Sequence, residues 1–110
     1  MGRYIPERGD IIWTNFDPSA GREQAHKRPA LVLSPKPFND QINLTLVAPI
    51  TSTIRGHGFE VHLKNTQTQG VALCQQIKMI DYDQRGVQFI EKAPTLIINE
   101  ALARVRVIVS

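Results

Sequence analysis

The sequence predicts a mainly β fold closed off by one C-terminal helix, a small half-open barrel whose exposed side the helix covers. Three observations carry this expectation. Short β-branched and aromatic runs recur along most of the chain, glycines and prolines punctuate them, and helical periodicity occurs only near the end. With 110 residues, 42% of them hydrophobic, the chain has enough apolar material for one core and too little length for two. A single domain over 1–110 is therefore expected.

The first strand is Ile11 to Phe16, led in by Gly9-Asp10 and stopped by Asp17-Pro18. From Asp17 to Lys27 the residues are small, polar and charged without periodicity, which predicts a long exposed loop. Pro29 biases Arg28 towards an extended backbone, and Ala30 to Leu33 follow as a strand buried on both faces. Arg28 thus sits where loop meets sheet. Pro35, Pro37, Asn39 and Asp40 read as a connection. Leu44 to Ala48 read as a strand that Pro49 closes, with Thr51 just beyond its end. After a turn at Gly56-His57-Gly58, Phe59 to Leu63 alternate, Glu60 and His62 facing one way and Phe59, Val61 and Leu63 the other. Gly70 to Cys74 and Ile77 to Ile80 form one strand bent at Gln75 and Gln76, and Gly86 to Ile90 a short last strand. At the C-terminus Ile98, Ala101, Leu102, Val105, Ile108 and Val109 share a helical stripe, Glu100 and Arg104 pair at i,i+4, and Thr95 is placed to cap.

Composition narrows the function classes. Thirteen Lys+Arg against ten Asp+Glu give a net charge of +3, which favours an anionic partner without naming one. The single cysteine, Cys74, excludes an internal disulfide and sits in an apolar run, suiting a reducing cytoplasmic setting. Neither a secretory leader nor an apolar run near the ~20 residues of a membrane span is visible. His26, His57 and His62 lack metal-ligand spacing, carboxylate clusters are absent, and no phosphate-binding glycine motif occurs, so neither metal nor cofactor is expected.

What remains is Arg22, Glu23, Gln24, His26, Lys27 and Arg28 in and after one loop, with Thr51, Ser52 and Thr53 at a strand border. RNA brings its own nucleophile, the 2′-hydroxyl. A ribonuclease therefore needs only a proton acceptor, a proton donor and charge stabilisation at phosphorus. This set could supply all three; a solvated loop without function fits the same residues.

Gly9-Asp10-Ile11-Ile12-Trp13, Phe16-Asp17-Pro18, Gly21, Glu23-Gln24 and Arg28-Pro29-Ala30-Leu31-Val32-Leu33-Ser34 resemble, in order and spacing, the opening block of the MazF/PemK family of toxins. Pro49-Ile50-Thr51 and Gln76-Ile77-Lys78-Met79-Ile80-Asp81 fall where that family has its next two blocks. The resemblance spans nearly the whole chain. It implies an SH3-like barrel and a homodimer that cuts single-stranded mRNA without a metal, in a groove blocked by the C-terminal tail of a cognate antitoxin. It also implies 2′,3′-cyclic or 3′ phosphate and 5′-hydroxyl ends. It carries over Arg28 as the principal catalytic residue, Thr51 as its partner at the scissile phosphate, and Glu23 as a supporting loop residue.

A free guanidinium has a pKa above ~12 and makes a poor base. Arg28 and Thr51 are therefore expected to stabilise charge, with Glu23 or His26 as proton acceptor. Arg22 and Lys27 depart from the family pattern by adding positive charge, which predicts salt-sensitive RNA binding. Arg22, Gln24, His26, Lys27 and Lys78 are further RNA-binding candidates. Phe16 could stack an unpaired base or belong, with Trp13, to core or interface; Asn39 and Gln76 could read base edges. Two alternatives stay open: a non-enzymatic gyrase poison of the same fold, as in CcdB, whose tryptophan-bearing tail this chain lacks, and a barrel that binds RNA without cutting it.

Overall fold

In the computed structural model, residues 3–16 and 27–110 are described. The expected loop from Asp17 to His26 lies outside them, and Arg22, Glu23, Gln24 and His26 with it. Among the described residues the order is β1 (Asp10–Asn15), β2 (Lys27–Val32), α1 (Lys36–Ile42), β3 (Thr45–Thr51), β4 (Glu60–His62), β5 (Val71–Leu73), a 3-10 turn at Cys74–Gln76, β6 (Lys78–Ile80), β7 (Gln88–Lys92) and α2 (Thr95–Val109). The strands form one antiparallel sheet in the order β4-β5-β3-β2-β1-β7, with β6 on β3 beside β5. Its end strands β4 and β7 do not pair with each other, so the sheet stays open, as the half-open expectation required.

Both sheet faces carry apolar side chains, which explains the uninterrupted run in β2. Ile11, Leu31, Leu33, Ala48, Ile50 and Val61 pack on one face with Ile97 and Ala101 of α2. Ile12, Ala30, Val32, Val47 and Ile80 form a second cluster on the other, with Phe16 and Val87 at its margin. Strand alternation does the sorting, since neighbours along a strand point to opposite faces.

The predicted bend at Gln75 and Gln76 is the 3-10 turn, and the two half-strands it separates both lie on β3. β5 pairs with Ile50 and Thr51, β6 with Thr45 to Val47. Pro49 does not end β3 as expected. It pairs with Ala30 and falls in the gap between the half-strands, where a residue without an N–H is tolerated. Thr51 is accordingly the last residue of β3.

The Pro35–Asp40 connection folds as α1, with Pro37 in the first turn, where a missing N–H costs nothing, and Asn43 in the left-handed conformation at its end. This overturns the reading of Asn39 as a base-reading residue. It is fully buried. Its amide oxygen accepts from Ser34 Oγ at 2.5 Å, and its nitrogen donates to the carbonyls of Pro6 and Ser34 at 2.8 and 3.0 Å, which leaves no edge for a base. Trp13 is likewise not core, being 37% exposed.

The helix α2 begins where expected, although Pro94 stands at its cap and Thr95 makes no capping bond. Ile97, absent from the expected stripe, is buried in the core with Ala101, whereas Ile108 and Val109 extend past the core into solvent. Burial raises the Cys74 thiol to about 11, so it is an inert packing residue.

Candidate active site

Arg28 and Thr51 come together because of sheet register. β2 and β3 pair with Ala30 opposite Pro49, and continuing two residues in each strand sets Arg28 opposite Thr51. On the other side of β2, Thr14 faces Arg28, and beyond Thr51 lies Val71 of β5. Alternation puts this row on the face of Ala30 and Val32, away from α2. Apolar packing runs out there, and the sheet ends in polar side chains.

Arg28, Thr51, Thr53, Arg55, Leu73, Gln75 and Gln76 line one pocket of about 240 Å³. Among the described residues it is lined by two guanidiniums and no carboxylate, and neither arginine has an ion-pair partner among them. Thr51 Oγ1 accepts the Thr53 amide N–H at 3.1 Å, leaving the hydroxyl proton to donate outward. The backbone at Thr51 is held by close approach of Gly70, whose φ of +119° suits glycine and whose Cβ, were there one, would strike the Thr51 carbonyl.

The opposite wall is pinned by Glu60. This carboxylate is buried, accepts the Arg55 amide at 2.9 Å and the Gly56 amide at 2.8 Å, and so fixes the loop that carries Arg55. The Arg55 N–H, with that of Gly56 and the nearby His57 and His62, outweighs burial and holds Glu60 below its ordinary 4.5. Sequence alternation had grouped Glu60 with the exposed His62; the turn amides explain its burial instead.

Of the sequence candidates, Arg28, Thr51 and Gln76 meet in this pocket. Lys27 is exposed one residue before Arg28, on the opposite face of β2. Phe16 and Lys78 make a separate pair on the pocket's face, the ammonium 5.6 Å from the ring centre, and Arg85 is spent on the Asn15 carbonyl at 3.1 Å. Thr53, grouped with Thr51 in the sequence, lies there too, whereas Arg55 and Gln75 were missed. The only available signal for Arg55 was a cation directly before the Gly56-His57-Gly58 turn. Among the described residues no three His, Cys, Asp or Glu side chains gather as a metal site would.

An open antiparallel sheet covered by one helix thus carries, on its free face, a pocket of two arginines and two threonine hydroxyls, an arrangement able to hold an anion, in the fold class of small toxins. Residues 7–109 match the model of the PemK-like, MazF-like toxins of type II toxin-antitoxin systems, and the chain belongs to this family. It is 45% identical over 86 residues to the endoribonuclease toxin MazF of Escherichia coli K12, covering 78% of each chain. Its fold is similar to that of MazF from Deinococcus radiodurans, with a TM-score of 0.87 at 34% identity, covering 97% of this chain and 98% of that one. It is also similar to the MazE-MazF complex of the same organism, with a TM-score of 0.87 at 33% identity over 96% and 97% of the two chains.

Proposed function

We propose that residues 1–110 act as one endoribonuclease domain that cleaves single-stranded mRNA at a preferred sequence, using the Arg28–Thr51 pocket and neither metal nor cofactor. The observation that carries this reading is the convergence of Arg28, Thr51 and Arg55 on one pocket. The RNA 2′-oxygen attacks the adjacent phosphorus, forming the O2′–P bond as P–O5′ breaks. The 2′-hydroxyl proton goes to a base, and the departing 5′-oxygen takes a proton. The ends are then a 2′,3′-cyclic phosphate, or a 3′ phosphate after hydrolysis, and a 5′-hydroxyl.

Negative charge grows on the non-bridging oxygens in the transition state. A guanidinium can hold two of them, and the free proton of Thr51 can meet a third contact. A guanidinium is a poor base, so Glu23, or else His26, takes the proton. The family relation to MazF, solved in complex with MazE, supports a cognate antitoxin whose C-terminal tail occupies the RNA groove. Large exposed apolar side chains, among them Trp13 and Phe89 on opposite faces of the β1–β7 ladder, support a homodimer. No described helix is long and apolar enough to cross a membrane, and the reading places the protein in the cytoplasm.

The test is incubation of purified protein with single-stranded RNA in excess chelator. Cleavage leaving 5′-hydroxyl ends is expected, and folded Arg28→Ala should be slower by about two to three decades. Undiminished cleavage by that variant would overturn the assignment; binding without any cleavage would leave an RNA-binding module.

A further inference from the structure

Gln75 lines the pocket, and its terminal amide touches a residue outside it. The amide nitrogen lies 3.2 Å from Nε2 of His57. The two are brought together by the β4–β5 ladder, in which Glu60 pairs with Leu73 and the Cys74 amide donates to the Phe59 carbonyl at 3.1 Å. The Glu60 carboxylate, tied to the 55–56 amides, fixes the loop from the other side.

This geometry selects one tautomer of the ring. The Phe59 amide N–H donates to Nδ1 at 3.2 Å, so Nδ1 needs its lone pair and carries no proton. Nε2 lies 3.7 Å from a carboxylate oxygen of Glu60, which also favours a proton there. An Nε2–H cannot face an amide N–H. A half-turn about the last torsion of Gln75, between atoms of nearly equal size, sets its oxygen against the ring and leaves its NH2 for the pocket.

We propose that His57 is a positioning residue that locks the Gln75 amide with its NH2 towards the RNA, and that Gln75 thereby selects a base presenting a carbonyl there. This rests on the endoribonuclease reading above. An unlocked glutamine offers donor and acceptor equally and discriminates little. A locked donor pairs with guanine O6 or uracil O4 and opposes the amino groups of adenine and cytosine. A single hydrogen bond of this kind is worth about threefold to tenfold in preference.

Two measurements test it. Long-range 1H–15N spectra of the free wild-type protein should show His57 protonated on Nε2, and the Gln75 side-chain amide should shift on adding a single-stranded DNA oligonucleotide, which lacks the 2′-hydroxyl and is not cut. A ring protonated on Nδ1 overturns the proposal whether or not the protein cuts RNA. Absence of wild-type cleavage would overturn the endoribonuclease reading instead.

End-mapping of cleaved RNA should show G or U favoured over A or C at one position. Gln75→Ala and His57→Phe should each flatten that preference by about threefold to tenfold, with nothing further lost in the double variant. His57→Gln, which keeps a donor near the Nε2 position, should retain it. A profile altered by Gln75→Ala but untouched by His57→Phe, or touched by neither, overturns the proposal.

Discussion

At Asn39 one side chain ties the segment around Pro6, the end of β2 and the first turn of α1 together, and the residue's backbone carbonyl accepts the Tyr82 hydroxyl at 2.8 Å. Asn39→Ala would strand the Pro6 and Ser34 carbonyls in the interior and take one of its partners from the Ser34 hydroxyl. Each unpaired buried group is costly, so the variant should lose about 3 kcal/mol in urea unfolding, with RNA cleavage by the surviving folded fraction unchanged. An Asn39→Ala protein as stable as wild type but selective for a different RNA sequence would restore a base-reading role. Among prolines in sequence, an asparagine looks like a turn or surface residue. Its partners are dictated by tertiary contacts that local pattern does not record. Arg28 was legible for the opposite reason: its role depends on a strand border, and Pro29 with the apolar run after it marks that border locally.

At the scale of elements, the β2–β3 register and the close approach of β5 set the site. Gly70→Ala would push on the Thr51 carbonyl without touching the pocket's side chains. Displacements near 1 Å at a reacting centre cost about a hundredfold, so that loss of cleavage with a retained circular dichroism spectrum is the expected result. Wild-type rates in the variant would mean that Thr51 is not held by this contact. Carboxylates pin the connecting loops. Burial raises Glu91, but the Gln67 amide with the Thr68 hydroxyl and amide outweighs it and leaves Glu91 below 4.5, as Glu60 is. A depressed folded-state pKa means stability fully present above the unfolded value and lost as pH falls through the folded one. Urea midpoints should therefore fall below pH 4.5, and less steeply in Glu91→Gln; equal slopes would exclude this linkage. The strands themselves were readable from β-branched runs, and α2 from its period. The continuation of β3 through Pro49 was not, because it depends on a gap between neighbouring strands. Nor was α1, whose first-turn prolines look like breakers until the turn is seen.

Across the whole molecule the excess of three positive charges is unevenly spent. Arg3 pairs with Asp83, Lys92 with Glu7 and Asp10, and Arg104 with Glu100, while Arg28 and Arg55 on the pocket side have no such partner among the described residues. The pocket on the face away from α2 thus holds two guanidiniums that no described carboxylate neutralises, and composition alone could not have located them. Lys27 and Arg28, adjacent in sequence and equal in charge, are separated by strand alternation, so only Arg28 joins this field. The salt dependence of RNA binding measures that asymmetry. Each phosphate neutralised on a single strand contributes about 0.7 to the slope of log affinity against log salt. Arg55→Ala should lower the slope by about that amount. Arg106→Ala, an equal loss of net charge at the end of α2, should leave it unchanged. A similar fall in both variants would mean that RNA senses net charge and not this pocket, and the proposed site would lose its electrostatic basis.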